Sequence, residues 1–370
     1  MNEEAIYALA LTRVPGIGVI GANNLIRKAG SAKCLFTERN RLKDIIPDIS
    51  NRIVDLLDCP EALRFAETEI QYAESKGIDC LTFNHPDYPT RLLDCNDAPI
   101  ILFFKGNADL NRIHVINMIG TRRATDYGKG ICASFVKELK DLLPDTLIVS
   151  GLAYGIDINA HRAAVAHQMD TVGVLAHGLD RIYPAVHRHT AVEMLNHGGL
   201  LTEYPTGTNP DPQNFVQRNR IVAGMSDATI VVESAEKGGA LITASIANSY
   251  NRECFAFPGR IGDPYSLGCN KLIFNNRAQL VRNAEDFLTM MGWITEERKP
   301  KAAVQRELFP NLTDDEQKIC TILQKADEGV QINTLVVESN IPINKITGIL
   351  FELEMKGLVR ALAGSQYRLI

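Results

Sequence analysis

Apolar positions along the chain change their spacing twice. Residues 3–13 (EEAIYALALTR) and 21–30 (GANNLIRKAG) place them at helical intervals, and Val14-Pro15-Gly16-Ile17-Gly18 interrupts the two stretches. A helix, a glycine-rich hairpin and a second helix are predicted. From about residue 98 the pattern becomes short apolar runs, ILFFKG, HVINMIG, TLIVSG, TVGVLAHG, GLLTEYP, ATIVVESA and ECFAFPG, most followed by an amphipathic stretch. That alternation predicts βα units, with a largely parallel sheet buried between helices on both faces. The expected fold is α/β, with a helical domain over residues 1–78 and an extended Rossmann-like core over 79–294. TEERKPKAAVQRELFPN, after Trp293, is charged, contains proline and lacks a period, so residues 295–311 read as a linker. Thr313-Asp314-Asp315-Glu316 fits a capping box opening a helix to about Ala326. A second helix covers TLVVESN, a third runs from Asn344 to Lys356 with Gly357 as its stop, and LVRALAGSQYRLI reads as a hairpin turning at Gly364-Ser365. Three helices and a two-stranded wing over 312–370 spell a winged helix.

With 370 residues, 45% of them apolar and 22% charged, the chain is a folded protein of several domains, and neither a disordered nor a fibrous class fits. No apolar run approaches the roughly eighteen residues of a membrane span. Two glutamates stand near the start where a signal peptide would be positive, so a cytoplasmic place away from membranes is expected. Eight cysteines without a C-x-x-C pair read as reduced thiols, and the histidines, His187 and His189 included, lack carboxylates at ligand spacing, so no metal is expected.

Thirty-nine basic against 44 acidic residues give a formal charge of −5, which repels nucleic acid in bulk. Any nucleic-acid site must be a local patch. Residues 210–283 hold eight basic against six acidic side chains and form such an island. The winged-helix stretch holds six basic against eight acidic, with Lys345 and Lys356 facing Glu352 and Glu354 on its third helix, so a structural or protein-contact role suits it better than duplex reading. The Gly16/Gly18 hairpin can offer backbone N–H groups to a phosphate, and equally fits a plain turn between packed helices.

The chemistry-bearing segments sit between predicted strands and helices. In Gly120-Thr121-Arg122-Arg123, glycine permits a sharp turn and Arg122 can fork onto a phosphate. This is not G-x-G-x-x-G, and no acidic residue ends the next strand, so dinucleotide binding is not expected. Ser150-Gly151-Leu152-Ala153-Tyr154-Gly155-Ile156-Asp157 is a second such turn, with Asp157 placed to cap a helix and to pair with His161 one turn on. In Phe215-Val216-Gln217-Arg218-Asn219-Arg220, two arginines diverge around a helix, one expected toward ligand and one inward. Phe215 suits stacking on an unpaired base as well as packing into the core. Lys237-Gly238-Gly239 opens a helix whose N–H groups can cradle phosphate, and Arg260, Asn270 and Lys271 add glycine-flanked polar groups farther on.

GTRRATDYG, SGLAYGID with AH, GLDRIYP, TEYP, FVQRNRIVAGMS, VVESAEKGGALITA, FAFPGR and SLGCNKLI, in this order, resemble the DNA-processing protein A family (DprA, also called Smf). The resemblance extends to a helical N-terminal domain of sterile-alpha-motif type and a C-terminal winged helix. It implies a non-catalytic protein without a cofactor. Such a protein binds single-stranded DNA in a basic pocket of the Rossmann-like domain, forms a homodimer and loads RecA onto strands taken up in natural transformation. It implies DNA contacts from Gly120, Thr121, Arg122, Arg123, Ser150, Gly151, Phe215, Arg218, Arg220, Lys237, Gly238, Gly239, Arg260, Asn270 and Lys271. The chain departs from the family at Gly238-Gly239, where Ser-Gly is common, and at Val216-Gln217, where proline and a basic residue are common. Two rival classes are a nucleotide phosphoribohydrolase on the same fold and a winged-helix transcription regulator. The first requires a carboxylate just after the Gly-Gly turn, which is missing; the second fits poorly with the acidic balance of residues 313–370.

Overall fold

The structure is a computed structural model that describes residues 2–294, 312–324, 326, 329–362 and 365–369. The expected linker 295–311 and Gly364 of the expected turn lie outside the described residues. Two compact units emerge, one within residues 1–298 and one within 299–370.

The larger unit opens with α1 (Glu3–Arg13), α2 (Val19–Ala29), α3 (Ala32–Thr37), α4 (Leu42–Ile45), α5 (Asn51–Leu56) and α6 (Pro60–Ser75). Gly16, at φ +84°, makes the predicted turn before α2. These helices share one apolar cluster with Ile78, Ile100, Ile101 and Phe103, so the helical region is packed onto one edge of the sheet. Two hydrogen bonds reinforce that contact: Asn23 Nδ2 donates to Ala98 O at 2.9 Å, and Thr206 N donates to Glu69 Oε1 at 2.7 Å.

The sheet follows as β1 (Asp79–Thr82), β2 (Ile101–Gly106), β3 (Val115–Ile119), α7 (Asp126–Leu142), β4 (Leu147–Ser150), α8 (Ile156–Ala166), β5 (Thr171–Val174), α9 (Arg188–Met194) and β6 (Gly198–Thr202). It continues as α10 (Pro212–Gly224), β7 (Ala228–Val231), α11 (Ala240–Ser249), β8 (Glu253–Ala256), α12 (Leu267–Phe274), β9 (Gln279–Leu280) and α13 (Ala284–Met290). The strand order is β1-β2-β6-β5-β4-β3-β7-β8-β9. Neighbours from β6 to β9 are parallel, whereas β1–β2 and β2–β6 are antiparallel. All seven predicted runs are strands, but ILFFKG does not open a βα unit. It runs against β6 and ends at the edge where β3 begins, so the chain enters β3 without a crossover helix.

Side chains of β3 alternate between two apolar layers, Val115 and Ile119 into one, Ile116 and Met118 into the other. Strand β3 also marks the point where the order reverses, with β4 on one side and β7 on the other. In open α/β sheets that reversal opens a crevice at the carboxyl ends, where ligands bind.

The smaller unit has α14 (Asp314–Gln324), β10 (Val330–Gln331), α15 (Ile332–Ser339), α16 (Ile343–Met355), β11 (Val359–Leu362) and β12 (Gln366–Leu369). The capping box is present: Thr313 N donates to Glu316 Oε2 at 2.8 Å and Glu316 N to Thr313 Oγ1 at 3.4 Å. Gly357, at φ +69°, follows the last helix, and β10 adds a third strand to the expected wing.

Candidate nucleic-acid interface

Four turns meet outside the carboxyl ends of the parallel strands: 120–125 after β3, 151–155 after β4, 175–184 after β5 and 232–239 after β7. They are braced against one another. Thr121 N donates to Glu233 O at 2.7 Å, and Ile156 N donates to Thr121 O at 3.1 Å. The Glu233 carboxylate is buried and accepts from Thr125 N at 2.9 Å and Thr125 Oγ1 at 2.5 Å, fixing the start of α7. A Cβ on Gly120 would lie 2.4 Å from Ile156 Cγ1, and one on Gly155, at φ +79°, would lie 2.0 Å from Thr121 O. Gly120 and Gly155 therefore serve loop-to-loop packing.

From this braced turn Arg122 and Arg123 project into solvent. The Arg122 guanidinium carbon stands 5.2 Å from the ring centroid of Phe215, at the start of α10. Phe215 is half-buried, and on another side the Tyr183 ring lies 5.8 Å away, tilted by 56°. Tyr183 is held by His177, whose Nε2 accepts from Tyr183 N at 3.3 Å while its Nδ1 lies 2.8 Å from Gly178 O. Burial holds the His177 pKa below the ordinary imidazole value, which keeps Nε2 an acceptor at neutral pH.

Both arginines of α10 are turned into the protein, whereas one of them was expected to face ligand and the resemblance implied DNA contacts from both. Arg218 is 3% exposed and donates to Gly151 O at 2.7 Å and to Val174 O, supplying protons to carbonyls where β4 and β5 end. A Cβ on Gly151 would come within 2.6 Å of both the Arg218 guanidinium and Asp157 Oδ2, so this glycine makes room for both buried groups. Burial pulls the Arg218 pKa down to about 10, opposed by Asp157, and the group stays charged at neutral pH. Arg220 turns to Glu203 in a largely buried ion pair. Burial raises the Glu203 carboxyl and Arg220 opposes it.

Other expected contacts are structural too. Ser150 is buried, and its Oγ donates to Met118 O at 2.6 Å, because it is still part of the sheet. Asn270 clamps the Gly259 turn, accepting from its N at 3.1 Å and donating to its O at 2.9 Å. Asp157 is not a cap, since α8 begins at Ile156 with Gly155 before it; its Oδ2 accepts from Gly151 N at 3.2 Å. His161 pairs through Nδ1 with Thr171 Oγ1 at 2.7 Å, so no carboxylate–histidine pair forms, and burial pulls its pKa down to about 3.

What stays available is a set of exposed cations. Arg122, Arg123, Lys237 and Arg260 form no ion pair among the described residues, while Lys271 lies 3.3 Å from Glu236. Gly239 precedes α11 without a side-chain cap, and a Cβ there would meet nothing within 4 Å, so the backbone at this helix start borders open space, with the Leu241 and Ile242 N–H groups turned to Gly238 O and Gly239 O at 3.1 Å. A helix start beside unpaired cations attracts a polyanion. Among the described residues no group of three or more His, Cys, Asp or Glu is placed to hold a metal, and all eight cysteines are free thiols. Sequence reasoning gave Glu233 and Tyr183 no role. A tyrosine before proline at a strand's carboxyl end was the available signal for the latter.

Comparison with known proteins bears on this arrangement. Residues 79–292 match the model of the DNA recombination-mediator protein A family, and residues 300–365 match that of the DprA winged helix domain. Protein Smf of Synechocystis is 28% identical over 99% of this chain and 99% of its own length. DNA processing protein A of Streptococcus pneumoniae is 30% identical, covers 78% of this chain and 98% of its own, and superimposes with a TM-score of 0.61. DNA processing protein A of Helicobacter pylori, solved to explain its single-stranded DNA binding mode, is 29% identical over 58% of this chain and 96% of its own, with a TM-score of 0.53. The core match alone spans more than half the residues and encloses every turn of the braced rim, so this chain belongs to the DprA/Smf family of DNA-processing proteins.

Proposed function

We propose that this protein binds single-stranded DNA on the rim of the sheet and acts as a recombination mediator that loads RecA onto strands taken up in natural transformation. The observation that carries the reading is the unpaired Arg122, set on a braced turn against the Phe215 ring in a protein of net charge −5. Guanidinium and helix-start N–H groups hold phosphates without regard to sequence, and aromatic rings select unpaired bases. We further propose that it works as a homodimer in the cytoplasm and carries out no reaction on the DNA. No carboxylate follows the Gly-Gly turn within α11, and of the two that precede it Glu233 is engaged by Thr125 and Glu236 by Lys271, an arrangement that favours binding over phosphoribohydrolase chemistry.

The test is equilibrium binding of a labelled single strand and of its duplex at two salt concentrations. The single strand is expected to bind tighter, with affinity falling as salt rises. Equal affinity for both, or release of adenine from adenosine monophosphate at appreciable turnover, refutes the proposal. RecA loading is tested by RecA filament assembly on strands already covered by single-strand binding protein, which the protein should accelerate.

A further inference from the structure

Resting on the single-strand reading above, we propose that the base-stacking surface of the rim is Tyr183, and that Phe215 is the buttress which holds Arg122 and Tyr183 in place. Phe215 is half-buried and has neighbours on two sides, the Arg122 guanidinium at 5.2 Å from its centroid and the Tyr183 ring at 5.8 Å. A base stacking on Phe215 must first displace the arginine that is to hold the phosphate, giving up a cation–π contact. Tyr183 demands no such exchange, because the residue is 47% exposed on the lip of the same site.

Its backbone is prearranged. His177 Nε2 accepts the Tyr183 N–H at 3.3 Å, and the adjoining Pro184 is buried. An aromatic ring with few rotatable bonds on a fixed backbone loses little freedom when a base lands on it. Arg122, Phe215 and Tyr183 thus form a continuous row in which the phosphate and a base of one short segment are met together. The Tyr183 hydroxyl has no hydrogen-bond partner among the described residues, so the ring and not the phenol does the work.

The experiment measures binding of labelled oligo-thymidine by the full chain and its Tyr183→Ala, Tyr183→Phe and Tyr183→Trp variants at two salt concentrations. Tyr183→Ala is expected to bind about tenfold more weakly with an unchanged salt slope, the loss of about one stacked base without loss of a phosphate contact. Tyr183→Phe should bind as the natural chain does. Tyr183→Trp should show fluorescence quenching on oligo-thymidine but not on an abasic strand of equal length, read against the baseline of Trp293, which packs between His114 and Phe287. Unchanged affinity in Tyr183→Ala together with no quenching beyond that baseline overturns the inference while the natural chain still binds. A flattened salt slope in Tyr183→Ala also overturns it, because the tyrosine would then act through Arg122. Failure of the natural chain to bind oligo-thymidine at low salt sinks the single-strand reading itself.

Discussion

The rim of the sheet and the third helix of the winged helix hold their cations in opposite states. In the winged helix, Lys345 Nζ lies 2.8 Å from Asp315 and Lys356 Nζ lies 2.5 Å from Glu316, whose side chain is 1% exposed and also closes the capping box. The third helix of that unit instead exposes Ile343, Phe351 and Met355. On the rim, Arg122, Arg123, Lys237 and Arg260 have no carboxylate partner among the described residues, although this unit also carries many acidic groups. A winged helix is a fold that reads duplexes in other proteins, yet here Lys345 and Lys356 are committed internally, and Lys318, Arg360 and Arg368 are its exposed cations without an ion pair among the described residues. Uncommitted charge, more than fold type or residue count, marks where a polyanion can land.

The comparison breaks most severely at Arg218, the buried counterpart of Arg122. Replacing Arg218 by Ala removes the donor to two strand-end carbonyls and leaves Asp157 buried beside an empty space, which is expected to cost about 3–5 kcal/mol. Urea unfolding followed by Trp293 fluorescence reports the larger unit and measures the loss. Arg122→Ala, an exposed change on the same rim, should move the same midpoint by less than about 0.5 kcal/mol. Comparable midpoints for the two variants would mean that Arg218 does not hold the rim.

Acid separates the units next. Burial holds His161 near a pKa of about 3 against the ordinary 6.5, so between those values the unfolded chain binds a proton that the folded chain refuses. Stability is therefore fully present above pH 6.5 and falls as pH is lowered, by up to about 1.4 kcal/mol per pH unit for this one group, or about 2 kcal/mol at pH 5. His114, His177 and His187 are lowered by burial and act in the same direction. All eight histidines lie in the larger unit. In the winged helix, Asp315 and Glu316 are lowered by their lysine partners, so their contribution disappears only as pH drops below the ordinary carboxylate range. Denaturant titrations of the natural chain and of His161→Gln between pH 7.5 and 5 should differ in pH slope by about one proton; equal slopes refute the assignment to His161.

Much of this architecture was readable in advance, for a definite reason. Strands buried on both faces need continuous apolar runs, so HVINMIG, TLIVSG, TVGVLAHG and ATIVVESA announce themselves, and Thr313 with Glu316 announces a helix start. The roles of single polar residues were not readable, because they depend on which strand ends converge. Arg218 faces inward since α10 lies over the ends of β4 and β5, and that follows from strand order, which no local pattern encodes. Ser150 and Asn270 belong to the same class: their partners, Met118 and Gly259, are fixed by tertiary packing. Tyr183 escaped notice because one exposed ring in a loop has no period. The exposure of Arg122 was legible because a turn between strand and helix lies at the open edge of the sheet.

Arg122→Ala carries the next smaller effect, on binding and not on stability. Losing one phosphate contact on a single strand should reduce the slope of log affinity against log salt by about 0.7, since one neutralised phosphate releases about that share of counterion. The measurement is a salt titration with labelled oligo-thymidine. An unchanged slope removes Arg122 from the contact set and transfers the role to Arg123, Lys237 or Arg260, each testable in the same way.

The smallest effect is expected at Lys345. Its Nζ already lies against Asp315, and both side chains remain partly open to solvent. Exposed pairs of this kind contribute roughly 0–1 kcal/mol, so Lys345→Ala should scarcely move the unfolding of the winged helix. Removing a cation that phosphate never touches should leave the single-strand salt slope where it was. A duplex reader behaves differently: neutralising a lysine in the major groove lowers affinity and takes about one unit from the slope on double-stranded DNA. If Lys345→Ala flattens either slope, then its pairing with Asp315 opens in the presence of DNA. The division between the committed lysines of the third helix and the uncommitted rim would then be one of degree, set by the competition of a carboxylate and a phosphate for the same ammonium group.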